Sequence, residues 1–299
     1  MKDMKKVIVR ASRSGLDHTK RPSRSPAEPK EYDAEKANGT KDRQFVTALA
    51  RGLQILGCFS STHLELNGTE IAAMVGLPQP TVWRLCRTMI KLGYLENGSE
   101  DRLRPAPPAL RLGYALLSNM TIVELARPHL QELAEEVGGA AGLAVRDGSD
   151  MRFVERCESN SQLLMSLRVG SCVPIATSAL GWAYLAGLPS EQREAVIRDV
   201  RPNEQIWKKA EAPLRSALRS FNQNGFILND GVLHPGYVTV ATPVIGRGGL
   251  PVFTINCGAA TSIVTPGTLK TRIAPLLRKL AALLESVVAF TPPELLNIR

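Results

Sequence analysis

Residues 69–92 read Thr-Glu-Ile-Ala-Ala-Met-Val-Gly-Leu-Pro-Gln-Pro-Thr-Val-Trp-Arg-Leu-Cys-Arg-Thr-Met-Ile-Lys-Leu, and carry two apolar stripes on either side of Gly76. Ile71, Ala72 and Val75 form the first stripe; Val82, Leu85, Met89 and Leu92 form the second, both at helical spacing, so two short helices can bury each other. Gly76 provides the positive φ of a sharp turn. Pro78 and Pro80 suit the start of a following helix, where a missing N–H costs little, so the second helix is predicted to begin near Gln79. Two helices joined this tightly predict a DNA-reading helix-turn-helix.

The outer side of the second helix carries Gln79, Thr81, Arg84, Arg87 and Lys91, which can donate to phosphates and to guanine or adenine edges in a major groove. Trp83 can lie against a sugar or a thymine methyl. With Thr69 and Pro80 these are the candidate DNA contacts. An ordinary surface hairpin with a solvated basic face has the same pattern, so the flanks matter. Upstream, Val46 to Phe59 has Leu49, Leu53, Ile55, Leu56 and Phe59 at helical spacing, predicting the first helix of a three-helix unit. Downstream, Glu96 to Arg104 combines a β-like run with an Asn97-Gly98 turn signal and predicts a wing. Its Arg102 and Arg104 can reach flanking phosphates or the minor groove.

The chain has 299 residues, 44% of them hydrophobic, enough for about two domains with real cores. No apolar run approaches membrane-spanning length, and the first residues lack the apolar stretch of a secretory signal, so a cytoplasmic protein is expected. Five scattered cysteines without a Cys-x-x-Cys pair argue against a disulfide framework or zinc ribbon. None of the four histidines stands at ligand spacing from another His or Cys, so neither metal nor cofactor is expected. The net charge is +9, and residues 1–43 alone hold 12 Lys and Arg against 7 Asp and Glu. Positive charge beside a helix-turn-helix is what counterion-releasing DNA binding needs, although soluble basic tails are common.

Four segments are expected. Residues 1–43, rich in Lys, Arg, Ser, Pro, Asp and Glu, form a disordered basic tail. The winged helix-turn-helix occupies 44–106. Pro105-Ala-Pro-Pro108 marks a break, and a linker helix with Leu110, Leu112, Leu116 and Leu117 fills 107–120. An α+β domain takes up 121–295. It opens on a helix capped by Thr121 and bent or shortened by Pro128. Strands are predicted at Ala141–Val145, Met151–Cys157, Leu163–Val169, Phe226–Leu228, Tyr237–Val244 and Val252–Cys257. Helices are predicted around Ser178–Ala186, Ser190–Val200, Pro213–Gly225 and Thr268–Val288, and Gly246-Arg-Gly-Gly249 reads as a hairpin turn.

Leu77-Pro78-x-x-Thr81-Val82-x-Arg84-Leu85 followed by Leu92-Gly93-Tyr94-Leu95 resembles the winged helix of the IclR (isocitrate lyase regulator) transcription factors. The resemblance runs from about Phe45 to the last helix. Pro174-Ile-Ala-Thr-Ser-Ala-Leu-Gly181 and Gly225 to Gly236, leading into Val240-Ala-Thr-Pro-Val244, resemble the effector-binding domain of that family, which is similar to the GAF fold.

The resemblance implies a dimeric or tetrameric regulator on a roughly palindromic operator, with a small metabolite, often a carboxylic acid, in the second domain. The residues supply a physical reason. Thr177 and Ser178 stand where a helix cap is wanted, leaving N–H groups of Ser178, Ala179 and Leu180 to hold a carboxylate. By the family pattern, Asn229, Thr239 and Asn256 complete the site. Family members often carry Asp at Asn229, Glu at Gly231 and Val232, Cys or Ser at Thr239 and His at Ala176. The loss of acidic groups favours an anionic or polar neutral effector. Leu164, Met165, Leu167, Trp182 and Phe253 are candidate pocket walls. Two rival readings remain at this point: a second domain that only oligomerises or senses oxidation through Cys157, Cys172 or Cys257, and an enzyme using Cys172 or Cys257 with His234.

Overall fold

The structure is a computed structural model and describes residues 44–60, 63–117, 121–160, 167–201 and 204–289. The basic tail 1–43 lies outside them, as do Leu164, Met165 and most of the strand expected at Leu163–Val169.

Three helices build the N-terminal unit: α1 (Thr47–Gly57), α2 (Gly68–Val75) and α3 (Gln79–Lys91). A capping box starts α2. Asn67 Oδ1 accepts from the Thr69 and Glu70 N–H groups, and Glu70 Oε2 accepts from Asn67 N. Gly76 ends α2 in the left-handed conformation at φ 65°, as its sequence position predicts. The buried residues of α3 are Val82, Cys86 and Met89, one stripe at i, i+4 and i+7. This corrects the expected stripe: Leu85 is only partly buried and Leu92, at the end of the helix, is 64% exposed. On α1 only Ile55 is buried, while Leu49 and Leu53 point outward.

Strands β1 (Leu95–Asn97) and β2 (Leu103–Pro105) pair antiparallel as the wing. Its turn differs from the expected Asn-Gly type. The left-handed residues are Glu100 and Asp101, and Gly98 serves close approach instead: a Cβ there would stand 2.7 Å from a Glu65 carboxylate oxygen. A 3-10 turn, Pro107–Ala109, then leads into α4 (Leu110–Leu117).

The second domain begins with α5 (Thr121–Val137), where Thr121 is the first helical residue rather than the cap. Pro128 does not end this helix, because it lies on the solvent side between buried Ala126 and Leu130. Strands β3 (Ala140–Asp147), β4 (Asp150–Glu158) and β5 (Cys172–Pro174) follow, the last at the strand-to-helix entry that the family resemblance implies. Then come α6 (Ala179–Gly187), α7 (Ser190–Asp199) and α8 (Glu204–Asn224). The last of these starts nine residues before the expected Pro213, since Trp207, Ala210, Leu214 and Leu218 make one buried stripe across an outward-facing proline. Strands β6 (Ile227–Asp230), β7 (Tyr237–Ile245) and β8 (Pro251–Ala260) complete the sheet. The expected closing helix is three pieces: α9 (Pro266–Thr268), a π-helical turn (Leu269–Ile273) and α10 (Ala274–Val288).

The six strands run β5-β4-β3-β8-β7-β6, with every described pairing antiparallel. Alternation along the strands gives the sheet two apolar faces. Leu143, Val240, Ile255 and Cys257 meet α5 and α10 on one face; Ala144, Phe153, Ala241 and Ile227 meet α6 and α8 on the other.

Candidate DNA interface and effector site

Gln79, Pro80, Trp83, Arg84, Arg87, Thr88 and Lys91 are exposed on α3, with Trp83 55% open to solvent. Thr69 is exposed at the start of α2, and its hydroxyl accepts a 2.9 Å hydrogen bond from Gln79 Nε2, which ties the two helix starts together. Arg51 of α1 was not foreseen as a contact. It shares a groove of about 540 Å³ with Thr81, Arg84, Arg87 and Lys91. The signal in the sequence was a lone cation in a helix otherwise read only for its apolar stripe.

The wing arginines are engaged within the protein. Arg102 donates Nη1 and Nη2 to the two carboxylate oxygens of Glu70, each at 3.0 Å, and Nη1 also to the Glu65 carbonyl. Arg104 donates Nε to Glu96 at 2.7 Å and stands 3.6 Å from Glu65. Both keep open surface, 36% and 51% of their side chains.

In the second domain Ser178 caps α6, its hydroxyl accepting from Gly181 N at 3.0 Å. One of the three expected free N–H groups is already used, because Ser178 N donates to the Pro174 carbonyl. Ala179 and Leu180, the first two helical residues, have no backbone acceptor within reach of the helix pattern. Gly181 is required here for a different reason: a Cβ would lie 2.2 Å from Ile175 Cα.

The strand register brings the other expected residues to the α6 side of the sheet. Asn229 opposes Thr239, and Thr239 opposes Gly258 across the next pair; Asn256 lies two residues before Gly258 on the same face. Asn229 is buried and engaged at both ends of its amide, donating Nδ2 to the Thr177 carbonyl at 2.9 Å and accepting from Val232 N. It fixes the segment that leads into α6. Thr177 Oγ1 and Asn256 Oδ1 are buried without a hydrogen-bond partner. Trp182 is 1% exposed in the α6 core, but Phe253 packs on the opposite face against the α5 and α10 core, so it is no wall of this site.

Sequence reasoning passed over Arg156 and Tyr237. The Arg156 side chain is 4% exposed on the α6 face of β4, with Nε 3.2 Å from Glu158 and the guanidinium 5.2 Å from the Phe153 ring centre. Tyr237 donates to the Gly258 carbonyl at 2.7 Å. Burial pushes its pKa up to about 12, opposed by the neighbouring Arg156 guanidinium. Nothing in the linear sequence distinguishes Arg156 from an edge-strand surface arginine.

Four of the five cysteines are buried, and Cys172 is half-buried. Cys257 lies in the α5 core with its thiol against the Leu133 carbonyl, and burial raises its pKa strongly. Burial likewise pushes Cys172 up to about 11. Cys172 sits on the β5 edge and His234 in the loop after β6, the opposite edge of the sheet.

A wing beside an exposed basic helix has the geometry of a duplex-DNA reader, and a separate α+β domain behind it defines a two-domain transcriptional regulator. The model of the bacterial transcriptional regulator IclR C-terminal domain matches residues 114–285, and that of the IclR helix-turn-helix domain matches 48–98. The chain belongs to the IclR family. It is 28% identical over 256 residues to the HTH-type transcriptional regulator TsaQ1/TsaQ2 of Comamonas testosteroni, covering 84% of this chain and 92% of that one. Among solved structures, an IclR family transcriptional regulator from Brucella abortus is 35% identical, with a TM-score of 0.73 over 87% of this chain and 98% of that one. An IclR homologue from Microbacterium hydrocarbonoxydans, complexed with 4-hydroxybenzoate, shares the fold at 22% identity and a TM-score of 0.65, over 81% and 98% of the two chains.

Proposed function

We propose that this IclR-type regulator is controlled by a small anionic metabolite, a carboxylic acid, held at the start of α6. The observation that carries this reading is two buried, unpartnered oxygens, Thr177 Oγ1 in the turn that leads into the capped α6 and Asn256 Oδ1 on the sheet face that α6 covers. Buried polar groups without partners are costly, and a ligand that meets them removes the cost. The Ala179 and Leu180 N–H groups and the helix dipole favour a negative ligand there, by about 0.3–2 kcal/mol. The 4-hydroxybenzoate complex of the Microbacterium homologue is consistent with an acid of this size.

The assignment divides the chain into a DNA-binding unit (44–106), a linker helix (107–120) and an effector and oligomerisation domain (121–295), with the tail 1–43 adding nonspecific affinity. The protein acts in the cytoplasm as a dimer or dimer of dimers. Val46 just before α1, Leu49 and Leu53 on α1, and Leu110, Leu112 and Tyr114 on α4 are 54–75% exposed, and two copies can cover these apolar faces. Each α3 then enters a major groove of a roughly palindromic operator, through Gln79, Pro80, Thr81, Trp83, Arg84 and Arg87, flanked by Thr69, Arg102 and Arg104. Effector binding alters how the sensor domains pack and so the spacing of the two winged helices. The raised thiol pKa values and the separation of Cys172 from His234 favour regulation over a Cys-dependent enzyme or thiol sensor.

The test is operator selection from genomic fragments, then gel shifts with and without a panel of carboxylic acids at two salt concentrations. A discrete site whose affinity one acid changes at least fivefold supports the reading. A discrete site indifferent to every acid, with calorimetry showing no acid bound, removes the effector.

A further inference from the structure

Gln79 opens α3 on exposed surface, between Pro78 and Pro80, whose ring-fixed φ angles stiffen the turn around it. Its amide is already engaged: Nε2 donates one proton to the Thr69 hydroxyl at 2.9 Å. Thr69 is itself a fixed point. Its N–H and that of Glu70 both donate to Asn67 Oδ1, and the Arg102 guanidinium grips the Glu70 carboxylate. Water competes for both partners of an exposed side-chain hydrogen bond, so the contact between Thr69 and Gln79 adds little to stability. Its effect is to aim an amide that would otherwise rotate freely.

With one Nε2 proton on Thr69, the amide still offers Oε1 as an acceptor and the other Nε2 proton as a donor, side by side. Among the described residues neither has a partner. One acceptor beside one donor is the complement of adenine in a major groove, where N6 donates and N7 accepts. Guanine presents two acceptors on that edge, so the same amide would meet it with one hydrogen bond and one pair of opposed oxygens. Trp83, one turn along the same side of α3 and 55% exposed, can cover the thymine methyl of a neighbouring pair.

We infer that Gln79 specifies adenine at one A·T pair of each operator half-site, and that Thr69 is its positioning residue. The inference rests on the reading of α3 as the helix that enters the major groove. The part of Thr69 in base choice runs through Gln79. Loss of a phosphate contact weakens all sequences alike, whereas loss of the aim weakens the choice of base at one position.

The experiment selects duplexes from a random-sequence library with the full chain. Gel shifts then give the affinity for the selected site with each base pair in turn at every half-site position. Wild type is expected to prefer adenine at one position by about tenfold or more over each other base. Gln79→Ala is expected to bring that preference below about threefold and to leave the other positions as they are. Thr69→Val, which keeps the branched shape and loses the hydroxyl, is expected to cut the same preference at least about threefold, and Thr69→Ser to keep it. Circular dichroism checks the fold of each variant. Should Gln79→Ala unfold, Gln79→Glu, which keeps the shape but has no donor for N7, is expected to lose the preference equally. If no adenine preference falls in the Gln79 variants, or if the preference they erase is for guanine, the assignment of Gln79 is overturned and the operator reading stands. Uniform weakening by Thr69→Val, with the adenine preference kept, overturns the positioning role. A wild type that selects no discrete site overturns the operator reading and this inference with it.

Discussion

Arg102 in the wing and Glu70 in the first turn of α2 form a two-pronged pair, both oxygens of Glu70 being met at 3.0 Å. Glu70 Oε2 also receives the Asn67 N–H that completes the capping box. One carboxylate thus joins the start of the helix-turn-helix to the strand that follows it, and the wing is held in register with the helices it flanks.

Arg102→Ala and Glu70→Ala are expected to separate architecture from DNA contact. The pair is partly open to solvent, so each substitution should cost about 0.5–1 kcal/mol in chemical denaturation. Gel shifts decide the rest. With Arg102 on a phosphate, Arg102→Ala weakens operator binding and lowers the salt slope by about 1, while Glu70→Ala, which frees the arginine, does not. Equal losses in both variants would assign Arg102 a purely structural role.

Acid should loosen the wing. The Asn67 N–H first, and Arg102 after it, hold the Glu70 pKa below its ordinary value of 4.5. A carboxyl depressed in the folded state contributes stability that is present above the unfolded pKa and is lost as pH falls through the folded one. Melting of wild type and Glu70→Gln between pH 7 and pH 3 should therefore differ most above about pH 4.5 and converge below it. A difference that grows on acidification would contradict this.

Arg84→Ala is expected to weaken operator binding by about 1–3 kcal/mol if the side chain reads a base. Arg51→Ala, from the helix that shares its groove, should act on all sequences alike. Competition between the operator and a scrambled duplex distinguishes the two; an unchanged footprint and affinity for Arg84→Ala would remove it from the interface.

Leu53→Asp should shift the oligomer toward smaller species without unfolding the chain, since Leu53 is 54% exposed and outside the core of its own unit. Sedimentation across a concentration series reads this directly. An unaltered profile for Leu53→Asp and Leu110→Asp would place the subunit contact elsewhere.

Short-range chemistry explains what was legible in the sequence. Gly76, Pro78 and Pro80 set the turn and the start of α3, because φ preference and a missing N–H act within a few residues. The apolar runs of β7 and β8 and the Ser178 cap were equally local. Leu92 was misjudged because a helical period does not say which of two neighbouring stripes a partner covers, and Cys86 filled the place given to Leu85. Gly98 was read as a turn residue when its part is to admit the Glu65 carboxylate from another segment.

The sequence by itself determined the helix-turn-helix, the order of most strands and helices in the second domain, and the capped start of α6, all through contacts a few residues apart. Only the tertiary structure decided that Arg102 is bound to Glu70, that Asn229 holds Thr177, and that Arg156 is buried beside Tyr237. Each of these depends on strand register and packing between segments distant in the chain, where the partner of a side chain is set by the whole sheet and not by its neighbours in sequence.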